Sequence, residues 1–435
     1  MFNEIHSYIN QNRTYWRTLL TDGIPLSARR ILTTNTRSRQ DSAKTALIIL
    51  ADPNSALGSL GDAALLISAL SQLLKKYKLS DIYLLGLRED EISIPGLGTV
   101  KIVAAFDRAV GTSRFAHLCQ NAVELYVIGA DVLDGKYDPG YTCRLLTYAD
   151  HAARMNISVT ILGFSFNKKP NPSAIRALKS LHHNVSINLR DDASLERFIK
   201  NIGRDATLTA DIAFLLEPIS PPPEITEWIE SRKARGELVV GININRHALP
   251  DLGQGSGHTS LINTIATELP MKAYCGSRIN YILVPHDLKP SSGDIELLTA
   301  LKECLQEKTP EQVLYAELKD PRAIKGLASK LDALVTGRMH LAIAALGSST
   351  PVLCIDYQDK FEGLLRKFGL SITDSLCTKE ELIGTINERI INLIDKRLVN
   401  KQIIQSNLPY VSMLSESNFT KLSSAAYPGM IGNKA

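Results

Sequence analysis

The sequence has no apolar run long enough to cross a bilayer. None of its apolar segments approaches the roughly 20 residues that a membrane-spanning helix needs, and residues 1–45 contain no apolar stretch between a basic start and a small-residue cleavage site. We therefore predict a cytoplasmic protein with at most peripheral membrane association. Because 44% of the 435 residues are hydrophobic and no low-complexity tract interrupts them, the chain suits two globular domains.

Cysteine is scarce and scattered. No two cysteines form a CxxC pair, and Cys354 lies inside an apolar run, so we predict reduced thiols rather than a disulfide framework or a zinc site. No His and carboxylate residues have the spacing of metal ligands either, and we expect no metal. The cysteines are Cys119, Cys143, Cys275, Cys304, Cys354 and Cys377.

A large excess of one charge is also lacking. The 49 Lys and Arg residues are interleaved with 45 Asp and Glu residues, for a net charge of +4. No basic run carries interleaved aromatic residues, so nucleic acid is not an expected partner. The glycine-rich stretch GSLGD at 58–62 matches neither the GxGxxG nor the GxxxxGKS phosphate loop.

What the sequence does contain is a regular alternation of short apolar runs with helical stretches. Strands that are apolar throughout and alternate with helices form parallel sheets covered on both faces. The first set of predicted strands is 46–50, 82–85, 125–128, 159–162, 185–188 and 212–215, and the second set is 238–244, 281–284, 313–315, 333–335 and 352–355.

Three consecutive prolines in the segment 217–224 separate the two sets of strands. This segment fits neither a helix nor a central strand, so it is the predicted domain boundary. A long helix predicted at 379–397 has no strand partner, and we expect the C-terminal part to cross back to the first domain. The predicted units are 1–44 (an extension of unclear role), 45–220, 221–375 and 376–435.

The stretch 331–360 predicts a strand, a tight turn, a helix and a second strand. The helix opens near Arg338 and His340, where its free N–H groups and dipole favour an anion. Arg338 on its own could equally be a solvated side chain. Because residues 341–346 are all apolar, however, the helix is predicted to be buried, and a buried arginine needs a partner.

Other polar residues also follow predicted strands, where doubly wound sheets bind their ligands. Asp62 begins a helix, so it could be either a ligand or a partner of the helix dipole. Arg190 begins RDDAS, which also reads as a simple helix cap. The remaining residues in such positions are Ser59, Asp131, Ser165, His286 and Lys360.

The order of several motifs resembles the polysaccharide pyruvyl transferase family. The motifs are GSLGDAALL, GFSF, RDDASLERF, TADIAFLL, VGININ, VPHD followed by Asp294, and GRMHLAIAALGSSTPVLCIDYQDK, and together they cover most of residues 46–370. The resemblance implies an α/β protein with two Rossmann-like domains in a GT-B-like arrangement and a cleft between them. It also implies transfer of pyruvyl from phosphoenolpyruvate to a sugar of a cell-surface polymer, free or lipid-linked, with no further cofactor.

The resemblance also assigns residues. Arg190 and Arg338 correspond to the family's donor-binding arginines, and we expect the backbone at 337–339 (Gly337 to Met339) and Lys360 to assist them. His340 is the expected general acid, and His286 is a weaker candidate for moving hydroxyl protons. The sequence departs from the family pattern at Ser59, Ala63 and 129–131. With Asp62, Asp131 and Ser165, these positions are expected on the acceptor side.

Two alternatives remain from the sequence. One is a GT-B-type glycosyltransferase or epimerase that uses a nucleotide sugar, for which Asp356 is the only candidate ribose ligand. The other is a sugar- or phosphate-binding protein without activity. Retention of Arg190, Arg338 and His340 argues against the second, because buried charges cost free energy to desolvate. The oligomeric state is not predicted.

Overall fold

The computed structural model describes residues 10–34, 44–249, 257–270, 276–289, 293–307, 309–357 and 360–420. These residues form two sheets of mainly parallel strands, with apolar cores on the faces of each. The predicted two-domain α/β fold is confirmed. Among the described residues, no helix combines the length and apolar character that crossing a membrane requires. Cys275 lies outside the described ranges, and the other five cysteines form no disulfide with one another.

The first sheet comprises β1 (Thr45–Ile49), β2 (Ile82–Leu85), β3 (Asp90–Ile94), β4 (Gly98–Val103), β5 (Ala122–Val127), β6 (Ser158–Phe164), β7 (Val185–Leu189) and β8 (Thr207–Leu208). Their order is β3-β4-β2-β1-β5-β6-β7-β8. Side chains of the central strand β1 alternate between two cores, Ala46 and Ile48 in one and Leu47 and Ile49 in the other. Only β3 runs antiparallel to its neighbour.

The second sheet comprises β9 (Leu238–Asn243), β10 (Ile279–Leu283), β11 (Val313–Tyr315), β12 (Ala333–Thr336), β13 (Val352–Asp356) and β14 (Leu376–Thr378). Their order is β11-β10-β9-β12-β13-β14, and every pair is parallel. Fully buried apolar side chains fill β9, β10 and β12. This sheet continues to Thr378, beyond the predicted domain limit at residue 375.

The described α-helices are α1 (Arg13–Thr18), α2 (Ile24–Thr34), α3 (Leu60–Leu73), α4 (Gly111–Leu118), α5 (Pro139–Arg154), α6 (Pro172–Ser180), α7 (Asp192–Ile202), α8 (Pro223–Lys233), α9 (Gly257–Glu268), α10 (Asp294–Gln306), α11 (Pro321–Ala328), α12 (Met339–Leu346), α13 (Phe361–Lys367), α14 (Ile372–Ser375), α15 (Lys379–Leu382), α16 (Ile386–Asp395) and α17 (Arg397–Glu416). A π-helical segment, Leu19–Gly23, joins α1 to α2.

Two predictions of secondary structure were wrong. Residues 212–215, predicted as a strand, form a 3-10 helix because the Asp211 carboxylate accepts a hydrogen bond from the Ala213 N–H at 2.9 Å and caps it. Short apolar runs do not distinguish a strand from a buried helical turn. The helix predicted at 379–397 is divided between α15 and α16, which are separated at Gly384, where φ is +82°.

The connector between the sheets is fixed to the second domain. The buried Lys325 of α11 donates hydrogen bonds to the carbonyls of Phe214 (2.9 Å) and Leu216 (2.6 Å). Beside it, a Cβ at Gly326 would lie 1.9 Å from the carbonyl oxygen of Ile219, so only glycine allows this contact. These contacts hold the 3-10 helix, and with it Asp211, against the second domain.

The end of the chain returns to the first domain. Helix α17 packs on the 3-10 helix 212–215. Just beyond it, the buried Asn418 accepts a hydrogen bond from the Gly163 N–H of β6 at 2.7 Å and donates one to the Ala210 carbonyl at 2.9 Å. The last described residues are therefore part of the structure behind the carboxyl ends of β6 and β7.

Candidate active site

A cavity of about 470 Å³ lies between the carboxyl ends of the two sheets. Parallel strands bring their following loops to one edge, and here two such edges face each other. The first domain contributes Ala51, Asp52, Pro53, Asn54, Ser59, Gly61, Asp62, Ala130, Asp131, Val132, Tyr137, Asp138, Tyr141 and Arg190. The second domain contributes His247, His286, Asp287, Lys289, Arg338, Met339, His340, Tyr357, Lys360 and Phe361.

Arg338 stands between β12 and α12, as the cap residue of that helix. Its guanidinium pairs with the carboxylate of Asp294, a fully buried residue, and lies 3.6 Å from a carboxylate oxygen of Asp287. Its backbone N–H donates to the Thr336 hydroxyl at 2.9 Å. The amide of Arg338 is therefore not free for an anion, which corrects the expectation that all the amides at 337–339 are available.

Asp294 organises this side of the cavity. Besides Arg338, its carboxylate accepts hydrogen bonds from the Asn243 side chain (2.9 Å) and from the backbone N–H groups of His286 (3.1 Å) and Asp287 (3.2 Å). Donors from β9, from the loop after β10 and from the turn after β12 thus converge on one buried carboxylate. The arginine keeps its orientation because its counter-charge is itself held on several sides.

Arg190 follows β7 and is buried, with its side chain only 2% exposed. Its guanidinium donates to the Asp211 carboxylate and to the Ser165 hydroxyl, both at 2.7 Å. Its remaining terminal nitrogen, Nη2, faces the sulfur of Met339 at 2.9 Å. Thioether sulfur is a weak acceptor, so this is the part of the guanidinium most easily transferred to an anion in the cavity.

His340 lies between the two domains. Its Nε2 has no hydrogen-bond partner among the described residues, and the nearest carboxylate oxygen, of Asp211, is 3.8 Å away. On its other side, a Cβ at Gly61 would lie 2.4 Å from Nδ1, so the glycine of the GSLGD turn is what makes room for the ring. Burial lowers the pKa of His340, although the Asp211 charge opposes that shift.

His286 is more deeply enclosed than His340. It is 4% exposed, and burial together with the charges of His340 and Arg338 lowers its pKa well below the usual range. Both histidines are therefore mainly neutral imidazoles in the empty site near neutral pH. A neutral imidazole can act as an acid only after it has been protonated, which requires its pKa to rise.

Two ion pairs cross the cavity from one domain to the other. Lys360 donates to the Asp131 carboxylate and to the Tyr137 hydroxyl, the latter at 2.8 Å. Lys289 lies 3.1 Å from Asp52. Burial alone would raise the pKa of Asp131, but the charges of Lys360 and Arg190 outweigh it and lower the pKa to about 2. Asp131 is therefore ionised over the whole physiological range.

Ser59 and Asp62 begin α3. The Ser59 hydroxyl accepts the Asp62 N–H at 3.1 Å as a helix cap, and it donates to the Asp62 carboxylate at 2.8 Å. Burial raises the pKa of Asp62 to about 6, a shift that the hydrogen bond from Ser59 partly opposes. Asp62 thus has a titration range quite unlike that of Asp131.

The structure brings together nine of the predicted site residues: His340, His286, Arg190, Arg338, Met339, Lys360, Ser59, Asp62 and Asp131. Ser165 lies behind Arg190 and holds it. Gly337 does not line the cavity: a Cβ there would lie 2.5 Å from Ala248 and 2.8 Å from the Asn245 side chain. Within the part of the chain that the structure describes, no group of three His, Cys, Asp or Glu residues is arranged to hold a metal ion.

Sequence reasoning gave no role to the carboxylates that position the two arginines. Asp211 was hidden because residues 212–215 looked like a strand, although the motif TADIAFLL contained it. Asp294 was noted only as part of a motif. The two arginines that follow strands, Arg190 and Arg338, could have indicated these carboxylates, because a buried arginine requires a carboxylate nearby.

The architecture is that of the GT-B fold. A UDP-N-acetylglucosamine 2-epimerase is 10% identical and has a TM-score of 0.53, with 86% of this chain and 94% of that chain covered. The N-terminal domain of Candida albicans trehalose-6-phosphate phosphatase is also 10% identical, with a TM-score of 0.50 and 88% and 97% covered. At such identities the likeness shows the fold alone.

The family is defined by sequence. The family model described as polysaccharide pyruvyl transferase matches residues 60–359. The chain therefore belongs to the polysaccharide pyruvyl transferases, a family of transferases, and the resemblance seen in its motifs is confirmed. No curated protein matches the sequence significantly.

Proposed function

We propose that the protein transfers pyruvyl from phosphoenolpyruvate to two hydroxyls of one sugar, in a cell-surface polysaccharide or its lipid-linked precursor. The products are a pyruvate ketal and phosphate. The observation that carries this proposal is the convergence of four cationic side chains with an unpartnered histidine nitrogen on one cavity: Arg190, Lys289, Arg338 and Lys360 around His340.

The donor carries a carboxylate and a phosphate, which call for cations on two sides. Arg338 and Arg190 come from opposite domains and are each fixed by a buried carboxylate, so they can offer charge-assisted hydrogen bonds without reorganising. Lys360 supplies a third charge once its contact with Asp131 is exchanged for the donor. The N–H groups in the first turn of α12 have no partner within the helix and favour an anion there.

His340 is the proposed general acid. Its pKa is lowered in the empty site, but an anionic donor beside it would raise the pKa, so the proton is taken up as the donor binds. Transfer of that proton to the methylene carbon leaves an oxocarbenium-like neighbouring carbon. The two sugar oxygens then form bonds to this carbon, while the bond to the phosphate oxygen breaks. One of the two hydroxyl protons restores the proton that His340 gave to the methylene carbon, and the other leaves with phosphate.

Incubation with phosphoenolpyruvate and a panel of free and lipid-linked sugars tests the proposal. We expect phosphate release that depends on both substrates, with a ketal detected by mass spectrometry. Arg338→Ala should weaken donor binding at least about thirtyfold in a calorimetric titration, because it removes charge-assisted bonds worth about 2 kcal/mol or more. Arg366→Ala is a matched control, since Arg366 is exposed and, among the residues that the structure describes, its ion-pair partner is Glu362 of its own helix.

A nucleotide-sugar enzyme is the rival within the same fold. Tight binding of a uridine or guanosine diphosphate sugar, with no binding of phosphoenolpyruvate, would overturn the proposed function. Asp356, the only ribose candidate from the sequence, ends β13. It is not among the residues that line the cavity.

A further inference from the structure

The carboxylates around the cavity differ in what they contact. Three of them face a cation: Asp52 is 3.1 Å from Lys289, Asp287 is 3.6 Å from Arg338, and Asp131 pairs with Lys360. Asp138 caps α5 and accepts the N–H groups of Gly140 and Tyr141. Asp62 makes neither kind of contact. Among the described residues no Lys, Arg or His lies within 4.0 Å of its carboxylate, whose side-chain partner is the hydroxyl of Ser59.

Asp62 also lies beside the proposed acid. It follows Gly61, the residue that packs directly against the imidazole of His340. Helix α3 begins here, so its first turn fixes the carboxylate at the cavity wall on the first-domain side. A sugar bound between the two domains would therefore share this cavity with the Asp62 carboxylate.

We propose that Asp62 is the general base that takes a proton from an acceptor hydroxyl. This inference rests on the proposed function and deepens it. As the hydroxyl oxygen forms its bond to the central carbon of the donor, its O–H electron pair is released and the proton moves to the Asp62 carboxylate. The protonated carboxyl then returns that proton to the departing phosphate, so that no co-reactant is needed.

The acid–base properties of the cavity agree with this assignment. A pKa of about 6 leaves Asp62 ionised at neutral pH yet basic enough to accept a proton, whereas a pKa of about 2 makes Asp131 a poor base. His286, the earlier candidate for this proton, belongs to the loop after β10, and although it lines the cavity it is only 4% exposed. A purely structural role for Asp62, as the third residue of a capped helix, is the competing explanation.

Asp62→Asn separates the two roles because asparagine retains the hydrogen bond with Ser59. We expect phosphoenolpyruvate affinity to change less than about threefold, turnover to fall about a hundredfold or more, and the decline in rate below about pH 6 to disappear. Asp320→Asn, at the cap of α11 and away from the cavity, is the matched control for capping. Turnover and a pH profile like those of the unaltered protein would reduce Asp62 to a cap. Failure of the proposed function would instead show as no phosphate release by the unaltered protein.

A separate observation concerns the distribution of charge along the chain. Residues 1–44 contain seven Lys or Arg and three Asp or Glu, and the other 391 residues contain forty-two of each, so the whole net charge of +4 belongs to this segment. One of its three acids, Asp22, is buried and pairs with Arg144 at 3.0 Å.

The described part of this segment presents an apolar and basic face. Arg13, Arg17, Leu20 and Ile24 recur at intervals of four, three and four residues along the continuous run from α1 to α2. All four are exposed, Leu20 at 65% and Ile24 at 54%. The run approaches one side of the cavity wall: a Cβ at Gly140, next to the cavity residue Tyr141, would lie 4.0 Å from the Thr14 methyl group.

We also infer that this face docks on an anionic lipid bilayer. Exposed leucine and isoleucine enter the headgroup region while the arginines contact acidic headgroups, as amphipathic interfacial helices do. Docking there would place the cavity next to the membrane surface, where a lipid-linked sugar is found. The inference does not depend on the reaction, because it concerns binding alone.

Co-sedimentation with vesicles tests the docking. The full chain should bind vesicles of phosphatidylcholine and phosphatidylglycerol in equal parts, bind phosphatidylcholine vesicles weakly, and detach as salt rises. Arg13→Glu with Arg17→Glu, and separately Leu20→Ser with Ile24→Ser, should each reduce binding at least about tenfold. Leu398→Ser with Val399→Ser changes two equally exposed residues of α17 and is the control. Unchanged binding by both N-terminal variants, no vesicle binding at low salt, or preference for a single-stranded RNA would each overturn it.

Discussion

The two walls of the cavity carry opposite chemistry. The first-domain wall holds four carboxylates and one buried arginine, whereas the second-domain wall holds three histidines, two lysines and one arginine against a single carboxylate. Yet the chain outside residues 1–44 has no net charge. The asymmetry is therefore local. Under the proposed function, it favours the second domain as the site of the anionic donor and the first domain as the site of the neutral, hydroxyl-rich acceptor.

The same contrast in charge accounts for the two ion pairs that join the walls across the cavity. Lys360 with Asp131 and Lys289 with Asp52 join a basic group of one wall to an acidic group of the other. An anionic donor competes for the same cations. Under the proposed function, donor binding would release Asp131 and Asp52 from these lysines, and both carboxylates could then accept hydrogen bonds from sugar hydroxyls.

Removing Asp294 should have the largest effect on the second-domain wall of the cavity. Asp294→Ala leaves Arg338 without its buried counter-charge and removes the acceptor of two backbone N–H groups, which costs about 3–5 kcal/mol of stability for a broken buried pair. Urea unfolding measures the loss, and calorimetry should show donor affinity falling with it. A variant within about 1 kcal/mol of the unaltered protein would show that Arg338 finds another partner.

His340→Gln tests whether the basic wall performs chemistry or only binds. If His340 delivers the proton, donor affinity stays within about tenfold and turnover falls about a hundredfold or more. Stopped assays of phosphate release at saturating phosphoenolpyruvate measure the second quantity. Normal turnover in this variant would make His340 a binding residue and place the acid elsewhere.

Gly61→Ala tests the contact between the walls. The added methyl group would lie 2.4 Å from Nδ1 of His340, so the imidazole must move. Because alanine favours a helix more than glycine does, we expect stability to stay within about 1 kcal/mol while turnover falls about tenfold, as for other small misplacements of a catalytic group. Equal turnover would show that the ring can shift without cost to the reaction.

The smallest effect concerns pH and the buried His286. Its pKa is lowered well below the usual value, so the unfolded chain binds a proton below about pH 6.5 that the folded protein excludes. Stability is therefore full above that pH and falls as pH decreases, by up to about 1.4 kcal/mol per pH unit for one group. His286→Gln should flatten this slope in urea unfolding between about pH 7.5 and about pH 5.5. An unchanged slope would assign the effect to other histidines.

Much of this site could be predicted from the sequence, because parallel sheets bind their ligands where the strands end. Arg190, His286, Arg338, His340 and Lys360 each follow a strand, and all of them line one cavity, because parallel strands place their ends together. The pairing could not be predicted in the same way. Asp211 and Asp294 lie 21 and 44 residues from the arginines they hold, and only the packed structure brings them together.

The prediction of secondary structure failed where the local sequence pattern and the tertiary packing disagree. The β3–β4 hairpin lies at the sheet edge and has a largely exposed strand, Asp90–Ile94, which lacks the apolar run used to find the others. Strand β14, Leu376–Thr378, is three residues long and has no pattern of its own. Both were missed because neither has an apolar composition that marks it as a strand; each is a strand only because it pairs with a neighbouring strand in the folded sheet.

The position of Asn418 has a consequence for folding during protein synthesis. Its side chain bonds Gly163 of β6 and Ala210 beside the last strand of the first sheet, yet it follows the entire second sheet in the chain. A ribosome therefore releases the second domain before the first has received all its contacts. The hydrogen bonds of Gly163 and Ala210 with Asn418 can therefore form only after the whole second domain and α17 have been synthesised.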